Sequence, residues 1–179
     1  MRLKEAGMAV STVGVECGDE KVADNLLKRG KVTNQDIIHA FQIFNKHGIR
    51  SFSQNMVAYP IPNPLEVDLK TIQLNIKCKP TWASFAILIP IPKTRIWEYA
   101  ITNGYLEKDA FTKVDKLPSV FTRTTLNYHD DSMTARVNNL HKFAGIAVKF
   151  PFLLPVIKIL IYLSPNPVFQ YIHFGWYGY

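Results

Sequence analysis

The sequence predicts an α/β fold: three strand–helix units with parallel strands, then a helical, strongly apolar extension. Three observations carry this. Short β-branched or apolar runs alternate with helical patterns at roughly 35–40 residues per unit, a spacing that suits right-handed crossovers. The helical stretches carry their own start and stop residues. The alternation ends near residue 106, and the last thirty residues are almost wholly apolar.

The chain has 179 residues, 47% of them hydrophobic, enough for a sizeable core and too apolar for disorder. Net charge is +7, but the Lys and Arg residues are spread along the chain, so no nucleic-acid stripe is indicated. Cys17 and Cys78, 61 positions apart, form neither a disulfide framework nor a metal-ligand spacing. A reducing, cytoplasmic location follows as the expectation. The opening, Met1 to Gly7, has no signal-peptide core and reads as the last turn of a helix closed by glycine, as though something preceded it.

The run Val10-Ser11-Thr12-Val13-Gly14-Val15-Glu16-Cys17-Gly18 reads as a buried strand ending on an acid. Ligands of parallel α/β sheets sit at the carboxyl ends of strands, which makes Glu16 the first site candidate. The plainer reading is a solvated loop acid. Gly18 lets the chain turn where a side chain would block a ligand. Asp19 to Gly30 has acids first and bases last, as a helix dipole prefers. Lys28 and Arg29 either reach back to an anion near Glu16 or merely complement that helix end. Thr33 with Asp36 is a capping-box start for a helix running to His47, with Ile37, Ile38, Phe41 and Phe44 as its apolar stripe. His39 and His47 read as surface or helix-end residues.

Ile49 to Ala58 is the second strand. Its alternating Ser51, Ser53 and Asn55 suggest a wet cavity. Tyr59 to Pro64 holds three prolines and is a rigid loop, with Asn63 as N-cap and Pro64 as first residue of a helix to about Lys79. Leu69, Ile72 and Ile76 point inward from that helix, and Cys78 is a small buried residue. Trp82 to Ile89 is a third strand covered on both faces. Thr94 caps a helix from Arg95 to Asn103, which Gly104 ends.

From Glu107 the character changes. Phe111 to Tyr128 has no clear period and reads as a loop packed over the barrel. Asp130-Asp131-Ser132 caps a helix over Met133 to Val148. The apolar stretch from Phe150 to Leu163 is too short and too interrupted for a membrane span. Ser164-Pro165-Asn166-Pro167 breaks it from a second apolar piece. The pair suits docking on another domain better than lying on a bilayer, because Lys158 is its lone base. Peripheral membrane contact through residues 150–179 stays as the alternative. The expected organisation is residues 1–106 as the βα part and residues 107–179 as the extension. The βα count fits part of a TIM-type barrel or a small doubly wound sheet. The chain has neither GxGxxG nor GxxxxGK[ST].

Three places together resemble the second half of the radical S-adenosylmethionine enzymes, in the group with an N-terminal cobalamin-binding domain. The first is Leu3-Lys4-Glu5-Ala6-Gly7 leading to Gly14-Val15-Glu16-Cys17-Gly18. The second is Leu27-Lys28-Arg29 with Thr33 to Ile38, then Lys46-His47-Gly48-Ile49. The third runs from Asn55-Met56-Val57-Ala58-Tyr59-Pro60 through Leu69 to Ile76 and Lys79-Pro80, ending in Pro90 to Thr94 and Glu98-Tyr99-Ala100. They cover residues 1 to about 106 in the family's order, and the apolar tail is similar to the family's helical extension.

The resemblance implies a partial (β/α) barrel of three parallel units. It also implies a 4Fe–4S cluster on three cysteines and S-adenosylmethionine bound to the cluster's open iron, with a 5′-deoxyadenosyl radical as the product of one-electron cleavage. By position, Glu16 would hold the cofactor's ribose or amino group, and Cys17 stands where Ser or Thr is usual. Lys28 or Arg29 would pair with the methionyl carboxylate. Asn55 and the Ala58–Tyr59 backbone would lie where adenine meets the substrate cavity. The Cys-x3-Cys-x2-Cys loop is absent, as are earlier strands and the cobalamin domain. The cluster ligands and any cobalamin would thus belong to polypeptide outside this chain, its expected partner, and this chain alone would be inactive. The family's Gly-Leu-Pro-Gly-Glu-Thr reads Ala58-Tyr59-Pro60-Ile61-Pro62-Asn63 here. A small-molecule or lipid-like substrate is expected, its identity and the reaction outcome left open. The other readings are a non-catalytic remnant acting as an interaction module and a membrane-surface α/β protein. A half barrel leaves strand edges unpaired, so the chain expressed alone should associate. Size-exclusion chromatography should show species larger than a monomer, and a sharp monomeric peak with one cooperative unfolding transition would contradict this.

Overall fold

A computed structural model describes residues 2–110 and 119–178. The element order begins α1 (Arg2–Glu5), β1 (Val10–Glu16), α2 (Glu20–Val22), α3 (Asn34–Lys46), β2 (Arg50–Val57) and α4 (Pro64–Cys78). It continues β3 (Trp82–Ile87), α5 (Arg95–Thr102), α6 (Asp131–Lys149), α7 (Leu154–Leu160) and α8 (Pro167–Tyr177). The three strands form an open parallel sheet in chain order β1-β2-β3, without the reversal of a doubly wound sheet.

The helices gather on one face. Val13 and Val15 of β1 pack with Ile37 and Phe41 of α3 and Leu74 and Cys78 of α4. Val57, Phe85 and Ile87 join Ile72 of α4 with Leu140, Phe143 and Ala144 of α6. This largest cluster therefore draws on both the βα part and the extension. The buried His141 of α6 places Nε2 3.0 Å from the Phe85 carbonyl, tying α6 to β3. On the other face Thr12, Gly14 and Gln54 are exposed and Phe52, Met56, Ser84 and Ala86 half-buried, so β3 is not covered on both faces as its apolar sequence suggested. A strand with that composition needs only one helix layer plus its neighbours.

Several caps form as the sequence predicts. Thr33 and Asp36 make the full capping box of α3, and Thr94 accepts from the Trp97 amide at α5. Asp130 accepts from the Ser132 amide at α6 and Asn166 from the Phe169 amide at α8. Asn63 does not cap α4. Its amide instead donates to Glu66, while Pro64 starts the helix as expected. Asp19 to Gly30 is no regular helix either. After three α-helical residues capped by Asp19, a π turn runs over Ala23–Leu27 and stops at Lys28, whose φ is +56°.

Of the alternating polar residues of β2, Ser53 and Asn55 are held in a buried network, while the buried Ser51 hydroxyl has no hydrogen-bond partner among the described residues. Ser53 donates to Asn75 at 2.6 Å, Asn75 donates to Asn55 at 2.6 Å, and Asn55 donates to the Ser84 carbonyl at 2.9 Å. All three side chains are buried beneath α4, where a satisfied polar network replaces water.

Beyond the sheet, Val120 accepts from the Ile87 amide at 2.7 Å and so covers the far end of β3. The expected loop over Phe111 to Tyr128 lies partly outside the described residues; residues 119–128 carry no regular structure. Phe152, Ile159 and Tyr171 of the tail are each at least 70% exposed. Among the described residues no helix is long and apolar enough to cross a membrane. Asn75→Ala should cost about 2–4 kcal/mol, because Ser53 and Asn55 would be left buried without their partner. Urea denaturation checks this, and a loss under about 1 kcal/mol would show that the network contributes little.

Candidate functional site

At the end of β1 the chain makes a tight turn. The Cys17 amide donates to the Val15 carbonyl at 2.7 Å, and Glu16 between them has φ +60°. This left-handed three-residue turn is rare and strained for a non-glycine residue. The pairing register with β2 slips here, Gly14 facing Gln54 and Glu16 facing Asn55. The slip carries the Glu16 side chain back over Gly14: Oε1 lies 3.6 Å from where a Cβ on Gly14 would stand. Glu16 thus lies along the exposed face within ordinary van der Waals reach of Gly14, where a side-chain Cβ would also fit.

Four side chains from separate elements hold the turn. Tyr59 donates its hydroxyl to the Glu16 carbonyl at 3.3 Å. Arg29 donates Nη1 to the Cys17 carbonyl at 2.9 Å and Nη2 to Asn34 at 3.2 Å. Asn34 donates to the Gly18 carbonyl at 2.8 Å, and the Gly18 amide donates to Thr71 of α4 at 2.9 Å. Gly18 is required for another reason than the sequence suggested. A Cβ there would sit 2.4 Å from the Lys70 carbonyl oxygen, so it admits the backbone of α4 rather than a ligand.

A groove of about 330 Å³ opens beside the turn, bordered by Gly14, Glu16, Gln54, Met56, Ser84 and Phe121. Its volume falls within the ~300–1,000 Å³ of small-molecule sites. Glu16 brings an acceptor-only carboxylate, suited to a diol or an ammonium group. Lys70 pairs with Asp19 at 2.8 Å and with Glu66 at 2.7 Å.

The other predicted residues have different duties. Cys17 is fully buried, donates to the Asp19 carbonyl at 3.5 Å, and burial pushes its thiol up to about 11. Arg29 is spent on the turn rather than on an anion. Lys28 is exposed and borders a neighbouring apolar hollow. Asn55 edges the groove, but its amide belongs to the network under α4. Ala58 and Tyr59 are buried below the rim instead of facing it. Ala58 has φ +66°, and its amide donates to both oxygens of Asp68, each at 3.1 Å.

Sequence reasoning missed Asp68, Thr71 and Asn75, which put a polar stripe on the inner face of α4. Their spacing of three and four was the available signal, since it places them on the same face as Ile72. Asp68 is wholly buried, and loss of hydration holds its carboxyl well above the usual carboxylate range, against the pull of the Ala58 amide. Burial likewise raises the Tyr59 hydroxyl, with the nearby Cys17 and Asp68 adding to it. Among the described residues no three His, Cys, Asp or Glu side chains converge as metal ligands.

No protein-family model matches the chain. Over 104 residues, 58% of the chain, it is 31% identical to an uncharacterized methyltransferase of Pyrococcus horikoshii. The match covers 22% of that protein, so the chain spans about a fifth of its relative's length.

Because the native state of Asp68 binds its proton more tightly than the unfolded chain, stability should fall as pH rises from about 4, where an unfolded Asp titrates, toward the raised native value. Asp68→Asn should remove that component of the slope. Urea midpoints measured from pH 4 to 8 check it, and equal slopes in the two proteins would refute it.

Proposed function

We propose that this chain is the C-terminal part of an S-adenosylmethionine-using enzyme of the radical type, and that Glu16 grips the cofactor. The observation that carries the reading is the strained Glu16 turn, which lays a carboxylate over Gly14 on the open face of a parallel sheet, at its carboxyl rim. Strain of this kind gathers at functional sites. The 31% identical relative bears the name methyltransferase, and S-adenosylmethionine is the common methyl donor of such enzymes.

Chain-ordered strands with helices on one face support a partial (β/α) barrel whose interior is the open face. The groove's residues fit the cofactor. Glu16 would take its ribose hydroxyls or amino group, and the half-buried Met56 and Ala86 would meet its less polar parts. Bound there, S-adenosylmethionine supplies an activated carbon next to a sulfonium. Glu16, the turn that fixes it, and the apolar floor would bind and orient that carbon.

The residues do not fit a 4Fe–4S cluster. The chain has two cysteines, both buried, and burial pushes Cys78 up to about 12. A cluster, and cobalamin with it, would be held by a partner polypeptide docked on the open face, and no step through either falls to this chain.

Isothermal titration with S-adenosylhomocysteine, which needs no reductant, tests the reading. The wild-type chain should bind, and Glu16→Gln should bind about 10- to 100-fold more weakly, the worth of one charge-assisted pair. Equal affinity, or no binding by the wild type, would overturn it.

A further inference from the structure

Next to the Glu16 groove, and sharing Met56 and Ala86 with it, lies a larger hollow of about 890 Å³. Its walls are apolar, with Leu26, Leu27, Ile89, Ile91 and Ile96 among them. Among the described residues the charged ones that line it are Lys28 and Arg95, with no Asp or Glu. Leu26, Leu27 and Lys28 line it in succession at the end of the π turn, where Lys28 is left-handed. Such turns recur at functional sites. Arg95 and its cap Thr94 open the eight-residue α5 at the hollow, adding the positive end of a helix to the two cations.

We infer that this hollow binds the hydrocarbon of an acid-headed amphiphile, with Lys28 and Arg95 taking a carboxylate or phosphate. The inference rests on the proposed function for one part only: that the bound molecule is the substrate, entering from the hollow past Met56 and Ala86 to the carbon held over Gly14. An apolar wall rewards each methylene that the ligand buries against it. A pair of exposed cations adds selectivity for the head more than affinity.

The test is titration calorimetry on the full chain with twelve-carbon probes below their micelle concentrations. Dodecanoate and dodecyl phosphate should both bind, one arm for each acid, at least tenfold more tightly than dodecanol or dodecyltrimethylammonium. Lys28→Glu with Arg95→Glu should erase that preference, and both sites are exposed enough to leave folding intact, as circular dichroism would verify. Ala86→Trp, which fills the junction of the two cavities, should weaken every probe. Equal affinity for acid and alcohol overturns the inference, as does binding that survives both the charge reversal and Ala86→Trp, since the exposed tail would then be the binding surface. The two readings fail separately. Binding of S-adenosylhomocysteine without dodecanoate sinks only the hollow, while binding of dodecanoate without S-adenosylhomocysteine sinks the cofactor reading and leaves an amphiphile site.

Discussion

The turn around Glu16 depends on the satisfaction of its own backbone. A strand that stops short and doubles back exposes carbonyls and amides that its ladder no longer serves, and leaving them buried and unpaired is costly. Here the carbonyls of residues 16, 17 and 18 and the amide of Gly18 go in sequence to Tyr59, Arg29, Asn34 and Thr71. Each comes from a different segment. The carboxylate stands where it does because these four side chains outweigh the strain of a left-handed glutamate.

The same economy runs under the sheet. Asn75 joins Ser53 to Asn55, and Asp68 takes the amide of the left-handed Ala58 just past β2. The inner face of α4 is therefore half apolar and half a rack of hydrogen-bonding groups. Its apolar half builds the core and its polar half shapes the ends of two strands. Two neighbouring strands ending in left-handed residues give the rim its relief, with one neighbour's amide tied down and the other's side chain raised over the open face.

Much of the frame was legible in the sequence. The three strands, the α3 capping box, Thr94, Asp130 and Pro64 follow from local chemistry that acts within one turn of chain. The place of Glu16 at a strand end was legible too, though its left-handed turn was not. What could not be read were the duties set by distant neighbours. Arg29 looks like an anion binder until Cys17 and Asn34 are beside it. Gly18 looks like room for a ligand until α4 is seen to pass within van der Waals contact. Ser53 and Asn55 of β2 look wet because nothing in their own stretch announces Asn75. The π turn lacks a local signature as well: Asp19 to Gly30 has the charge order of an ordinary helix, and only the folded backbone, left-handed at Lys28, departs from it.

One further consequence lies in how far apart along the chain those supporting groups are. Thr71 is 53 residues from Gly18 and Tyr59 is 43 from Glu16, whereas Asn34 and Arg29 are near at hand. Contacts of such long range are made only after the intervening loops have closed. The turn is thus assembled by the finished tertiary structure rather than by the strand that carries it, and a chain still ordering α4 would have β1 in place but no upright glutamate. The Glu16 carboxylate takes its position with the last contacts of folding, so its placement reports when this part of the molecule is complete.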